Sequence, residues 1–218
     1  SQRSITGMNT PGQNANAVAE LAGGRMIMAA RGQYSGKAGT ELKGKTLGLH
    51  GFGNVGRQLA RIAGKGLEMN LLVYDPYLDP EEIRNNGAEP VDSPEELYSS
   101  SDYVSLHIPA NEETRASIGV DLLKNMKDTG VLLNTARAEI IDEGGLLRIY
   151  REKPGFIYLS DIAPENREEI LVCDTDRCFF TPKKMGAQTE EANVNAGVAA
   201  AGQIVAFFER GETPNKVN

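Results

Sequence analysis

The stretch Leu47–Tyr77, LGLHGFGNVGRQLARIAGKGLEMNLLVYDPY, decides the fold. It opens with an apolar run, breaks at three glycines spaced as GxGxxG (Gly51, Gly53 and Gly56), continues with helical spacing and closes on a second apolar run ending at Asp75. A strand, a glycine turn, a helix and a second strand in this order form the first half of a dinucleotide-binding α/β unit. Gly51 permits the tight turn, Gly53 lets the backbone approach a pyrophosphate, and Gly56 lets the helix sit close to the sheet. Asn54 and Val55, at the helix start, add unpaired N–H groups and the positive end of the helix dipole. Asp75 is placed to accept hydrogen bonds from an adenosine ribose. A 2′-phosphate would face its charge, and Pro76 and Tyr77 supply no cation, so NAD is favoured over NADP. S-adenosylmethionine-dependent methyltransferases also use a glycine-rich first turn and an acid after the second strand, so the cradle by itself leaves the reaction open.

Outward from this unit, short apolar runs alternate with helical spacing along the chain. TLGLH, LLVYD, YVSLHI, GVLLNTA and GFIYLS read as strands, and NVGRQLARIAGKG, PEEIRNNG, SPEELYSS, GVDLLKNM and IDEGGLLRIYREK as helices. Apolar strands alternating with helices predict a doubly wound parallel sheet, an α/β Rossmann domain covered on both faces. Two further helices flank it. One lies within NANAVAELAGGRMIMAARG; the other, TEEANVNAGVAAAGQIVAFFERG, repeats apolar residues at Val194, Val198, Ala201, Val205 and Phe208, which predicts one buried stripe. RGQYSGKAGTELKGKT reads as a loop, and SQRSITGMNTPGQN and ETPNKVN read as extended ends with little to pack against.

The chain has 218 residues, 30 acidic against 23 basic, for a net charge of −7. That balance repels phosphate backbones and anionic lipid, which argues against nucleic-acid and membrane partners. Apolar runs are too short and interrupted to span a bilayer. Cys173 and Cys178 match neither a redox pair nor half of a zinc site, so they read as unpaired thiols in a reducing, cytoplasmic setting, and no metal is expected. Of the two histidines, His50 lies inside a strand and reads as a packed residue rather than a catalyst.

Six segments taken in order, NTPGQNANAVAE, ELKGKTLGLHGFGNVGR, YDPY, SLHIPANEETR, LLNTARAEIIDEGGLL and TPKKMGAQTEEA, resemble the NAD-dependent D-isomer-specific 2-hydroxyacid dehydrogenases, among them most nearly the D-3-phosphoglycerate dehydrogenases, whose reaction opens serine biosynthesis. The resemblance implies Arg137 as the grip on the substrate carboxylate, a task suited to a planar two-pronged donor. It implies Asp161 at the nicotinamide carboxamide, and Thr135, Ala136, His107, Pro109 and Gly186 among the cofactor contacts. In that family a histidine backed by a glutamate exchanges the proton of the substrate hydroxyl. Here the loop is one residue longer; aligned on Gly186-Ala187, Lys184 takes the histidine's position, and aligned on Thr181-Pro182, Lys183 does, with Lys184 favoured because the Gly-Ala pair is nearer and opens the final helix. The glutamate's position is Asn166, and a one-residue shift would make Glu165 the partner. An ammonium can donate a proton to a ketone oxygen, whereas alcohol oxidation needs the neutral amine and is expected to run best at alkaline pH.

The resemblance further implies a small 2-hydroxy or 2-keto acid substrate and a homodimer formed through the first helix, with Leu21, Met26, Ile27 and Met28 exposed. It divides the chain into a cofactor domain over residues 1–190, including that dimer helix, and a C-terminal helix with the remnant of a substrate or lid domain over residues 191–218. The chain starts near the crossover into the cofactor domain, so roughly a hundred residues of a typical second domain are expected to lie outside it. NAD-sensing corepressors with vestigial catalysis resemble the same family and stay open as an alternative.

Overall fold

The computed structural model describes residues 5–218; the first four residues of the expected N-terminal extension lie outside the described residues. Helix α1 (Ala15–Ala30) precedes β1 (Thr46–His50), α2 (Asn54–Arg61), β2 (Asn70–Tyr74), α3 (Pro80–Asn85), β3 (Glu89–Pro90), α4 (Pro94–Ser100) and β4 (Tyr103–Leu106). The second half runs α5 (Val120–Leu123), β5 (Val131–Asn134), α6 (Glu143–Glu152), β6 (Ile157–Ser160), α7 (Arg167–Cys173), β7 (Cys178–Phe180) and α8 (Glu190–Arg210). The seven strands form one sheet in the order β3-β2-β1-β4-β5-β6-β7, and every pairing is parallel. Strand order reverses between β1 and β4, where a crevice opens at the strands' carboxyl ends.

Local chemistry sets the element ends. Asp79 caps α3 by accepting from the Glu81 N–H with Pro80 at the first helical position, Ser93 caps α4 through Glu96 N–H, and Thr189 caps α8 through Ala192 N–H. α8 stops at Gly211, whose φ of 68° is left-handed. All four residues of β4 and of β5 are buried, as a sheet covered on both faces requires. Alternation divides the core in two: Leu47, Leu49, Leu71, Val73 and Leu133 pack beneath α1 and α2, while Val104, Leu106, Leu132 and Tyr158 pack beneath α4, α5 and α6.

Two edge strands were not expected: β3 has two residues and β7 three, too short to give a readable apolar run. Three expectations are corrected. The apolar stripe on α8 is not buried: Val194, Val198, Val205 and Phe208 are all exposed, and only Ala192 and Ala206 of that helix are buried. Periodicity reports that a face is apolar, not that anything covers it. On α1, Met26 belongs to the core and Leu21 and Met28 are half-buried, so of the expected exposed set only Ile27 faces solvent. The two chain ends pack on each other. Met8 and Lys216 form an antiparallel bridge, Asn9 N–H donates to Asn215 O at 3.1 Å, and Val217 N–H donates to Gly7 O at 3.0 Å. Among the described residues no helix is long and apolar enough to cross a membrane.

Candidate active site

Two clefts meet at the reversal point. One, of about 460 Å³, runs from the glycine turn past Asp75 and Tyr77; the other, of about 360 Å³, runs from Val55 past Thr135 to Arg137 and Lys184. His107, Ile108 and Pro109, which follow β4, line both.

At the glycine turn the backbone explains the residue types. Gly51 has φ 92°, and a Cβ there would stand 3.0 Å from the carbonyl carbon and oxygen of His107. Gly53 is different: its φ is −74°, and a Cβ would meet nothing within 4 Å, so its smallness serves an approaching group rather than the fold. Gly56 is buried against Gly51 O, and Asn54 and Val55 open α2 with no side-chain cap on the helix end. The free N–H groups there suit an anion. Asp75 accepts from Phe52 N–H at 2.8 Å on one oxygen and from Tyr77 N–H at 3.0 Å on the other, which fixes the carboxylate at the cleft with lone pairs to spare. Tyr77 Oη donates to Glu113 Oε2 at 3.1 Å across the same cleft, a contact the sequence did not signal.

In the second cleft Asn134 shapes the turn after β5. Its Oδ1 accepts from Ala136 N–H at 3.0 Å and its Nδ2 donates to Arg137 O at 2.8 Å. Ala136 O then accepts from two cations, Arg137 Nη1 at 2.8 Å and Lys184 Nζ at 3.1 Å. Burial lowers the Lys184 pKa, Arg137 lowers it further, and Asp161 and Glu139 oppose them. Lys183 and Lys184 are both exposed, but only Lys184 lines the cleft. His107 is pushed down to about 3 by burial, with His50 adding to the shift, so the ring is neutral. Its Nε2 and the Thr135 hydroxyl are shielded from solvent and have no partner among the described residues. Unpartnered polar atoms of this kind, beside the open face of Gly53, fit a polar ligand lying along both clefts and therefore fit NAD.

Three expected site residues stand elsewhere. Glu165 is exposed and makes no ion pair with Lys184; its N–H donates to Glu143 Oε1 at 2.9 Å, and Glu143 also takes the Asn166 N–H at 3.2 Å. Glu143 pins that loop, so the one-residue shift that would carry Glu165 to the lysine does not occur. Asp161 is fully buried and turned away from the cleft: it accepts from Thr181 Oγ1 at 2.9 Å, Met185 N–H at 3.0 Å and Gly186 N–H at 2.7 Å. Gly186 is buried with its N–H spent on Asp161, and the neighbouring Ala187 lines the cleft instead. Sequence reading missed Arg25, which reaches Asp161 from α1. The available signal was a single basic residue inside the largely apolar run AVAELAGGRMIMAA. Among the described residues no cluster of His, Cys, Asp or Glu could hold a metal.

Residues 15–183 match the family described as D-isomer specific 2-hydroxyacid dehydrogenase, NAD binding domain. The chain is 35% identical over 230 residues to the D-3-phosphoglycerate dehydrogenase of Methanocaldococcus jannaschii, covering 99% of this chain and 43% of that protein. It is 35% identical over 222 residues to the hydroxypyruvate reductase of Thermotoga maritima, covering 93% of this chain and 70% of that one. Among solved structures, the NAD+-bound 3-phosphoglycerate dehydrogenase of Entamoeba histolytica is 45% identical, with a TM-score of 0.88 over 100% of this chain and 69% of that one. The chain thus spans under half the length of the archaeal dehydrogenase it matches.

Proposed function

The chain belongs to the D-isomer-specific 2-hydroxyacid dehydrogenase family and carries its NAD-binding domain, and from that premise we propose that it serves an oxidoreductase acting on the CH–OH group of a D-2-hydroxy acid. The observation that carries the reading is the convergence of Arg137 Nη1 and Lys184 Nζ on Ala136 O, at the end of a cleft continuous with the glycine turn. Bound NAD supplies the hydride acceptor. The turn and the start of α2 receive the anion, and Asp75 holds the adenosine sugar. Arg137 grips the substrate carboxylate with its fork. Lys184 Nζ takes the proton of the substrate hydroxyl in oxidation and returns it to the carbonyl oxygen in reduction. D-3-phosphoglycerate is the first substrate to test, because it names the function of relatives that match nearly the whole chain.

A homodimer through α1, on which Ile27 is exposed, belongs to the same reading, as does a cytoplasmic setting consistent with two unpaired thiols. Residues 1–190 form the cofactor domain in this reading, and residues 191–218 belong with a lid domain. One observation favours a second reading, an NAD-sensing binding protein with vestigial catalysis: Lys184 lacks the glutamate partner expected at Glu165.

Fluorescence titration of the chain with NADH and NADPH tests the cofactor half, with NADH expected to bind at least tenfold more tightly. No NADH binding by folded protein at millimolar nucleotide would sink the proposal. Turnover of 3-phosphoglycerate and smaller 2-hydroxy acids by the full-length gene product supports the enzyme, whereas binding without turnover favours the sensor.

A further inference from the structure

Arg25 is a charged side chain buried where stability does not account for it. It lies on the sheet-facing side of α1 and is 3% exposed. Its Nη2 stands 3.7 Å from Asp161 Oδ1 and 3.5 Å from Thr181 Oγ1, and its guanidinium carbon lies 5.6 Å from the centre of the Phe179 ring. Nε and Nη1 have no partner among the described residues. Taking two ions out of water at contacts this long is poorly repaid, and an apolar residue of the same volume is often as stabilising or more so. The pairing's value lies in what Asp161 holds. That carboxylate takes the Thr181 hydroxyl and the N–H groups of Met185 and Gly186, the two residues that follow Lys184.

We propose that Arg25 is a positioning residue for proton transfer: it fixes the Asp161 carboxylate, and Asp161 fixes the Thr181–Gly186 loop so that Lys184 Nζ stays at Ala136 O beside Arg137. The inference rests on the reading of Lys184 as the acid/base. Thr181 mediates part of the hold: its hydroxyl proton is shared between Asp161 O at 2.6 Å and Asp161 Oδ1 at 2.9 Å, while its lone pair faces Arg25. The charged groups acting on Lys184 are Arg137 and Glu139 from the connection after β5 and Asp161 from the end of β6, with Arg25 behind Asp161 on α1, Lys183 next in the chain, and a neutral His107 across the cleft. Removing the Arg25 charge leaves the Asp161 anion less compensated, and loosening the loop carries Lys184 away from Arg137 and from the cleft wall that partly shields it. Both effects raise the Lys184 titration midpoint.

The test uses the complete chain with NADH present and the variants Arg25→Met and Arg25→Lys. The Lys184 side chain is followed by carbon NMR, its signal assigned with Lys184→Ala, and amide exchange is followed at Met185 and Gly186. Arg25→Met is expected to raise the Lys184 midpoint by half a pH unit or more and to speed Met185 and Gly186 exchange at least tenfold, with NADH affinity held within threefold. Arg25→Lys is expected to recover at least half of each change. An unmoved midpoint and unmoved exchange in folded Arg25→Met overturn the proposal; should that variant not fold, Arg25→Gln is read by the same two measurements, and unmoved values there overturn it equally. If Lys184 is not the acid/base, these changes persist while Lys184→Ala leaves the oxidation rate of the full-length gene product intact, so the two failures are distinguishable.

Discussion

At the scale of single residues, Lys184 is the proposed acid/base, and its titration depends on its surroundings. An ordinary lysine titrates near 10.4, and each unit of downward shift corresponds to about 1.4 kcal/mol between its charged and neutral forms. Burial first, and Arg137 second, lower the Lys184 midpoint, while Asp161 and Glu139 hold it up, so the neutral amine needed for alcohol oxidation appears below the usual lysine range. Oxidation by the full-length gene product is therefore expected to rise with pH along a limb whose midpoint lies below 10.4. Lys184→Ala is expected to lower the rate at least a hundredfold and to remove the limb, as loss of a general base does. An unchanged profile in that variant would assign the proton to another group. Arg137 and Lys184 were read from two short motifs, and the structure brings both to one cleft at Ala136 O. Glu165 does not meet Lys184 here because its position depends on Glu143, 22 residues earlier, which holds its N–H. Arg25 could not be assigned from sequence, since its partner Asp161 lies on a different element.

At the scale of elements, the turn from β1 into α2 separates glycines kept for the fold from the glycine kept for the ligand. Gly51 needs its φ of 92° and has His107 backbone 3.0 Å from where a Cβ would stand, so Gly51→Ala strains the native state by about 1–3 kcal/mol. Gly53 has an ordinary φ and open space around a Cβ, and Gly53→Ala should fold with an unchanged melting temperature. The added methyl would stand where the pyrophosphate approaches the backbone. NADH affinity is accordingly expected to fall tenfold or more, about 1.4 kcal/mol, in Gly53→Ala at unchanged stability. Titration paired with thermal melting checks this, and equal affinity in the two proteins would move the anion away from this turn. The turn was readable because strand, glycines, helix and acid occupy one continuous stretch. The last helix was readable in length and caps but not in burial, because the exposure of Val198 and Phe208 depends on what lies beside α8.

At the scale of the whole molecule, both histidines lie where the two clefts join the sheet, and both are held neutral. His50 ends β1, is 8% exposed, has Nδ1 3.1 Å from Tyr98 Oη, and is pushed down to about 4 by burial despite the opposing pull of Asp75. An unfolded histidine titrates near 6.5. Between that value and about 4 the unfolded chain binds a proton that native His50 refuses, so its contribution is complete above pH 6.5 and is lost as pH falls through about 4. His107, held at about 3, adds to the same loss over the same window and extends it lower. Asp102 also has a depressed carboxylate: burial would push it up, but Lys127 and the Thr46 N–H outweigh that, and it acts only below the ordinary aspartate value of 3.8. The interval between pH 6.5 and 4.5 therefore belongs chiefly to the histidines. By pH 4.5, His50 should have withdrawn roughly 2–3 kcal/mol of stability. His50→Gln can keep a hydrogen bond to Tyr98 and cannot titrate, so urea unfolding across this interval should show a loss smaller than the wild type's by about that amount. Equal losses in the two proteins would mean that His50 takes up its proton inside the folded molecule. The strand end beneath the glycine turn, where His50 lines the dinucleotide cleft, would then admit water.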